Sequence, residues 1–231
     1  MLDCAVSSYM TLEHDFFGIR VLNNKLVPTK WRLVLNLAGI AHPEDDMEEL
    51  RKKIYVSYHR MIYWLEVFLD NPIFINAYDE LDFERFSDSE LENSVVFCPG
   101  EPSNDLLAEL FHAKLYAISK GEMTFGHISL RSDEIKAQIN FIPKDGKEYT
   151  LPSQMDFIGE TALYSEPWWN RYDCDTHDYE TIEGMTREEV IEEISSQYLL
   201  DEFTEQTYAE LGVNTEPEEG EIISPWKPKE V

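Results

Sequence analysis

The chain has 231 residues, of which 43% are hydrophobic and 13% aromatic, and its net charge is −27 from 46 acidic and 19 basic residues. This apolar content excludes a globally disordered chain. The charge disfavours direct binding to nucleic acid or to an anionic membrane, and it steers the protein toward cationic partners or metal ions. Residues 151–231 carry 21 of the acidic residues and 4 of the basic ones, so the negative charge is concentrated toward the C-terminus.

The cysteines and the N-terminal residues predict a cellular compartment. Cys4, Cys98 and Cys174 are far apart and form no C-x-x-C pair, which favours a reducing environment over a disulfide framework or a zinc knuckle. Residues 1–10 lack a basic and an apolar signal region, and no apolar run approaches the length of a membrane span. We therefore expect a cytoplasmic protein without a membrane segment.

The first elements form a predicted β-hairpin. Apolar and polar residues alternate over 17–21, Asn23-Asn24 follows, and a second extended segment begins at Lys25. Asparagine tolerates positive φ, so this pair predicts a tight turn between two strands. Alternation resumes over 31–37, which predicts a strand with one buried face.

Two helices follow in the prediction. Apolar residues at helical spacing over 43–71 indicate a long helix, begun by Pro43 with acidic residues and ended by Asn71-Pro72. Its stripe consists of Met47, Leu50, Ile54, Tyr58, Met61, Leu65 and Leu69. Ser103 is the predicted N-cap of a second helix that ends before Gly121.

Short strands complete the predicted core. Residues 95–98 indicate a short strand, and residues 123–131 and 135–142 indicate two strands joined by a turn. The fold class is therefore α+β, with an antiparallel sheet packed against two main helices in the order ββααββ. The predicted organisation is a core domain over 1–151, an acidic, aromatic-rich and helical extension over 152–213, and a flexible acidic, proline-rich tail over 214–231.

This order, together with Pro-Ser-Asn-Asp-Leu-Leu at 102–107, resembles the tunnelling fold of 6-pyruvoyltetrahydropterin synthase and its deazapurine-pathway relatives. The resemblance spans residues 10–142 and implies an oligomeric barrel that binds a pterin or purine between subunits. That family takes one zinc-binding histidine from its first strand and an H-x-H pair from its second. His14 matches the first position, whereas Lys30-Trp31-Arg32 and its neighbours contain no histidine. The resemblance therefore implies a noncatalytic or repurposed member without zinc, with its base-anchoring carboxylate at Asp133 or Glu134.

Acidic residues suggest two further kinds of site. Asp173, Asp175 and Asp178 provide oxygen ligands that a divalent cation such as Ca²⁺ or Mg²⁺ prefers, although their spacing does not match the EF-hand pattern. An acidic solvated loop is the alternative interpretation. No other cofactor is predicted.

A predicted C-terminal helix begins at Thr186, which forms a capping box with Glu189. Glu188, Glu189, Glu192 and Glu193 place a charge about every 1.9 Å along its axis, close to the roughly 1.7 Å per charge of duplex DNA. They are candidate partner-binding residues and suggest a DNA mimic. Favourable placement of glutamates at a helix N-terminus is the alternative explanation.

Trp168 and Trp169 lie among tyrosines and acidic residues. Tryptophan is common at binding hot spots, so the pair is a second candidate for contact with a basic partner. In the alternative interpretation, the rings fasten the C-terminal segment to the main domain.

The chain contains no G-x-S-x-G, P-loop, G-x-G-x-x-G or H-E-x-x-H motif, and its histidines form no recognisable constellation. We therefore expect a protein-interaction module rather than an enzyme, an inhibitor or immunity-type protein that occludes a basic, nucleic-acid-binding surface of a partner. The alternatives are a pterin- or purine-binding protein of the tunnelling class, a divalent-metal-dependent protein, and a subunit of a phage or other multiprotein assembly. Homo-oligomerisation is left open.

Overall fold

A computed structural model describes residues 10–40, 47–69, 71–79, 95–120, 122–133, 138–141, 151–158, 166–173 and 176. The strands are β1 (Met10–Leu22), β2 (Lys25–Gly39), β3 (Ile73–Asn76), β4 (Val95–Cys98), β5 (Met123–Ser132) and β6 (Gln138–Phe141). The helices are α1 (Met47–Tyr63), continued by a π-helical turn (Trp64–Phe68), then α2 (Asn104–Ile118), the short α3 (Gln154–Phe157) and a 3-10 turn (Trp168–Asn170). In this part of the chain, no helix has the length and apolar character needed to cross a bilayer.

The predicted hairpin is confirmed. Asn23 and Asn24 have φ values of 51° and 60°, the left-handed geometry that a two-residue turn between twisted strands requires. The antiparallel register runs without interruption from Leu22 opposite Lys25 to Met10 opposite Leu37. Both strands are longer than the alternation indicated, because pairing extends a strand beyond its apolar residues.

The six-stranded sheet has the order β4-β3-β1-β2-β5-β6. The pairs β1–β2, β2–β5 and β5–β6 are antiparallel, whereas β1–β3 and β3–β4 are parallel. The fold is thus a mixture of α and β elements, but the expected antiparallel sheet is corrected to a mixed one. The expected order ββααββ omitted β3 and did not place β4 in the sheet. β3 is short and almost fully buried, so its residues show no alternation that would reveal it. Residues 95–98, predicted as a strand, form β4.

A close crossing places β3 beside β1. The backbone N–H of Ile19 donates to the carbonyl of Pro72 at 2.9 Å, just before the parallel pairing of Ile19 with Ile73. A Cβ atom on Gly18 would lie 2.6 Å from that Pro72 oxygen. Only glycine allows the incoming chain to approach β1 this closely.

The long predicted helix corresponds to α1 and the π-helical turn, while residues 41–46, at its predicted start, lie outside the described residues. The N–H of Leu69 donates to the carbonyl of Trp64 at 3.3 Å, a five-residue spacing that gives the last turn its π geometry. Asn71 then takes a φ of 56°, which redirects the chain into Pro72. Leu50, Met61, Leu65 and Leu69 of the predicted stripe are buried.

Helix α2 is confirmed with its N-cap, because the Ser103 hydroxyl accepts a hydrogen bond from the N–H of Leu106 at 3.3 Å. Its predicted stripe is entirely buried against the inner face of the sheet. These residues are Leu107, Leu110, Phe111, Leu115 and Ile118. The stripe meets Trp31 through intervening aromatic rings, with Phe16 5.1 Å from Trp31 and 5.8 Å from Phe111 between centroids. One aromatic core therefore joins β1, β2 and α2.

The predicted C-terminal elements are described only in part. Of the predicted extension over 152–213, the structure describes residues 152–158, 166–173 and 176. The helix expected from Thr186 and the tail over 214–231 lie outside the described residues. The division of the chain into these units therefore stays a prediction.

Candidate functional site

Trp168 and Trp169 lie in the core and are fully buried. The Trp168 indole N–H donates to the carbonyl of Phe97 in β4 at 2.9 Å, and its ring stacks with Trp64 at 6.4 Å. The Trp169 ring lies 4.7 Å from that of Phe157. This is the packing expected if the rings fasten the C-terminal segment to the main domain. Contact with a partner through them would require the segment to leave the core.

A buried lysine on α2 holds the same segment. The Lys114 ammonium donates to the carbonyl of Trp168 at 2.8 Å and to that of Arg171 at 3.1 Å, and it lies 3.7 Å from the Asp173 carboxylate. Its side chain is completely buried. Lys114 therefore ties residues 168–173 to the central helix, and the sequence carried no signal for this role because lysine at a helical position is usually exposed.

Asp173, one of the predicted metal ligands, interacts with cationic side chains. Its carboxylate accepts from the Arg171 guanidinium at 3.1 Å in addition to its contact with Lys114. Asp175 and Asp178 lie outside the described residues. Within the described ranges, no group of three histidine, cysteine, aspartate or glutamate residues is arranged to hold a metal ion. The divalent-cation site stays a prediction.

Of the other predicted carboxylates, Asp133 alone lies among the described residues. Glu188, Glu189, Glu192 and Glu193 lie outside the described residues, as does Glu134. Asp133 follows β5 and is bound to β2, since its carboxylate accepts from the N–H of Lys30 at 3.0 Å and its own N–H donates to the Lys30 carbonyl at 3.1 Å. Its observed contacts terminate the β2–β5 pairing.

His14, the position matching the first histidine of the tunnelling family, lies half-buried on β1 and pairs with Leu33 of β2. Burial lowers the pKa of His14, and the Glu66 carboxylate and the Leu65 carbonyl oppose that shift without reversing it. The ring therefore lies beside the π-helical turn, near an acidic side chain.

The outer face of the sheet carries a row of polar side chains that crosses three strands. Asp15 of β1 pairs with Arg32 of β2, which in turn pairs with Arg131 of β5. The Arg32 guanidinium donates to both Asp15 oxygens, at 2.6 and 2.9 Å, and Lys30 lies 3.4 Å from the same carboxylate. Hydrogen bonding from Arg32 lowers the pKa of Asp15 to about 2.

A second polar row lies at the irregularity in the β2–β5 register between Asn36 and Leu37. The Thr11 hydroxyl donates to the Asn36 side-chain oxygen at 3.1 Å, and the Asn36 amide lies 3.3 Å from a ring nitrogen of His127. Sequence spacing does not connect these residues, because the strand register brings them together from separate strands.

A buried polar network joins the sheet to the start of α2. The Asn104 side-chain oxygen accepts from Arg20 at 3.0 Å and from the Trp31 indole at 3.3 Å, while its amide donates to Ser132 at 2.9 Å. These side chains lie on three strands and one helix and are nearly inaccessible to solvent. The network fixes the helix against the sheet, and sequence spacing gave no sign of it.

No protein-family model matches the chain, and no curated protein matches it.

Proposed function

We propose that this chain is an acidic protein-interaction module that occludes a basic, nucleic-acid-binding surface of a partner protein, as inhibitors and immunity-type proteins do. The net charge of −27 supports this proposal, because a strongly negative protein attracts a basic surface over a distance set by ionic strength. Such attraction raises the association rate and suppresses binding to acidic partners.

The observation that carries the proposal is the different placement of basic and acidic side chains. Among the side chains whose burial the structure describes, Arg20, Arg60, Lys114 and Arg171 are buried, whereas no aspartate or glutamate is. These four buried residues belong to a chain that has only 19 basic residues, so fewer basic side chains remain at the surface. The side chains that a partner can contact therefore have a higher proportion of acidic groups than the composition alone indicates.

The buried basic groups have internal roles that explain their withdrawal. Arg20 and Lys114 bind oxygens of Asn104, Trp168 and Arg171 inside the fold. On the outer face, Arg32 and Lys30 form a cluster with Asp15 that cancels part of their charge. The available acidic groups therefore dominate the interaction chemistry.

The proposal is tested by isolating a partner with the immobilised full chain and measuring its purified complex. We expect a basic nucleic-acid-binding protein whose binding to labelled duplex DNA is competed by this chain. If the acidic helix acts as a DNA mimic through four charges, affinity falls roughly 100-fold between about 50 and 200 mM NaCl. A salt-independent complex, or one that leaves DNA binding intact, contradicts the proposal.

Two neutralised variants with equal charge change separate a local contact from the overall field. The first replaces Glu188, Glu189, Glu192 and Glu193 with glutamine. The matched control carries Asp79→Asn, Glu101→Gln, Asp105→Asn and Glu166→Gln, which lie in the described part of the chain. If the predicted helix is the contact, the first variant weakens binding at least tenfold more than the control. Equal losses assign the effect to overall charge and remove these four glutamates from the site.

A further inference from the structure

The open edge of β1 is a surface that the pairing of the sheet leaves available. One edge of β1 pairs with β2 along the whole length of β1, whereas the other edge pairs with β3 only at Ile19 and Arg20. Among the described strands, none lies beside residues 10–17 on the side away from β2. An unpaired strand edge presents backbone donors and acceptors that another extended chain can use.

The hairpin shows which backbone groups face this edge. Leu22 and Lys25 flank the two-residue turn and form a hydrogen-bonded pair, so even-numbered residues of β1 bond to β2. Odd-numbered residues face the other way, as the bond from Ile19 to Pro72 shows. Pro28, which has no N–H, lies opposite Ile19 at a position where β1 and β2 exchange no hydrogen bond. The backbone groups of Thr11, Glu13, Asp15 and Phe17 therefore point toward the open edge.

The end of α1 explains why β3 does not continue along this edge. A parallel strand extended backward from Ile73 would lie beside Phe17 and Asp15. The chain is instead wound in the π-helical turn up to Leu69, and the left-handed geometry of Asn71 directs it into Pro72. The edge is thus a consequence of where the helix ends.

The side chains along the edge are exposed, and two of them are acidic. Thr11, Glu13, Asp15 and Phe17 all lie on the outer face, and the Phe17 ring is 59% exposed. On the other side of the edge, the exposed Glu66 lies near His14. Asp15 is neutralised by Arg32 and Lys30, so Glu13 and Glu66 are the acidic groups available to an incoming chain.

This charge pattern selects the occupant. Antiparallel pairing of two copies with Glu13 at its centre would bring the two Glu13 carboxylates close together. Like charges opposite each other destabilise a strand pair, whereas opposite charges stabilise it. Alternate side chains of a strand lie on one face of a sheet, so an extended segment with alternate lysine or arginine residues would place its cations beside Glu13 on the outer face. The apolar stems of these side chains would contact the exposed face of Phe17.

We propose that residues 10–17 of β1 accept an extended basic segment of the partner protein as an added strand of the sheet. This inference rests on the proposed function and names its contact. Main-chain hydrogen bonds to Thr11, Glu13, Asp15 and Phe17 supply affinity, and the acidic side chains select a basic sequence. The sheet then continues through the partner on the side of β1 that β3 leaves open.

Amide hydrogen exchange on the full chain tests the geometry. The probe is a blocked synthetic peptide of alternating lysine and valine, long enough to span residues 10–17. We expect fast exchange at the amides of Thr11, Glu13, Asp15 and Phe17 in the free protein and slower exchange when the peptide is bound. The same peptide, N-methylated on the edge that would pair, keeps its charge but cannot form the added strand, so its binding should be at least tenfold weaker.

A matched pair of variants separates backbone pairing from charge. Glu13→Gln removes the carboxylate and keeps the edge N–H, whereas Glu13→Pro removes both. Because the N–H of Glu13 faces away from β2, its replacement by proline breaks no hydrogen bond between the two strands of the hairpin. We expect Glu13→Gln to weaken peptide binding a few-fold and Glu13→Pro a further tenfold or so. Retained exchange protection at even-numbered amides verifies folding.

Three outcomes overturn the added strand. These are protection of the odd-numbered amides over residues 11–17 in the free monomer, equal binding of the methylated peptide, and a dimer that protects the same edge without any peptide. If Glu13→Pro leaves binding of the isolated partner unchanged while that binding remains salt-sensitive, the proposed function survives and this edge is not its site. If no basic partner binds at all, the proposed function itself fails.

Discussion

The Lys114→Met substitution tests whether the buried lysine fastens the segment that carries the two tryptophans. Methionine preserves the length and apolar stem of the side chain but removes the ammonium. The lost contacts are those to the Trp168 carbonyl at 2.8 Å, the Arg171 carbonyl at 3.1 Å and the Asp173 carboxylate at 3.7 Å. Since Lys114 is completely buried, water does not replace these contacts without rearrangement.

Two opposing effects determine how much Lys114→Met changes the free energy of unfolding. A buried carbonyl that loses its donor destabilises the fold by about 1–3 kcal/mol. Trp168 retains a weak hydrogen bond from the N–H of Arg171 at 3.4 Å, so its carbonyl loses only part of its hydrogen bonding. Removing the ammonium also relieves the desolvation of a buried charge, which offsets part of the loss. We expect a net destabilisation of about 2 kcal/mol.

Urea unfolding measures this difference, and amide exchange at Asn170 and Arg171 shows whether the segment opens locally. Lys25→Met is the matched control, because Lys25 is exposed at the end of the hairpin and its replacement should change stability by less than about 0.5 kcal/mol. If Lys114→Met has an effect as small as the control and leaves both amides protected, the lysine does not fasten the segment.

The remaining predictions concern a buried histidine and a close backbone approach. His112 lies between Phe125 and Phe141, and burial lowers its pKa from 6.5 to about 4. Between these two pKa values the unfolded state therefore binds more protons than the folded state. The free energy of unfolding should fall by about 2 kcal/mol on acidification from above pH 6.5 to about pH 5. Urea titrations should show that this loss shrinks in His112→Phe, and an unchanged pH dependence would assign it to other groups. Gly18→Ala should destabilise the fold by about 1–3 kcal/mol, because its Cβ would lie 2.6 Å from the Pro72 oxygen. Gly126→Ala is the control for the same unfolding assay, because its Cβ would lie 3.8 Å from the Asn36 oxygen, and equal effects would argue against the crossing as the cause.

Local sequence patterns determined the elements whose cause lies within a few residues. Asn23-Asn24 predicted the hairpin, because two adjacent residues that accept positive φ are sufficient for its turn. Ser103 predicted the start of α2 for a similar reason, since its hydroxyl caps the helix from three residues away. Charge was likewise evident from composition, and it remains the basis of the proposed function.

Tertiary structure alone decided features that join distant residues. The parallel pairing of β3 with β1 brings Ile73 beside Ile19 and leaves the preceding part of β1 open. β3 has three buried residues and one half-buried residue, and they show no alternation that would predict this pairing. The sequence likewise could not separate the buried Lys114 from an exposed lysine, because its partners lie more than fifty residues away along the chain. Periodicity reports the face of one element, whereas the neighbour of that face depends on how all the elements pack.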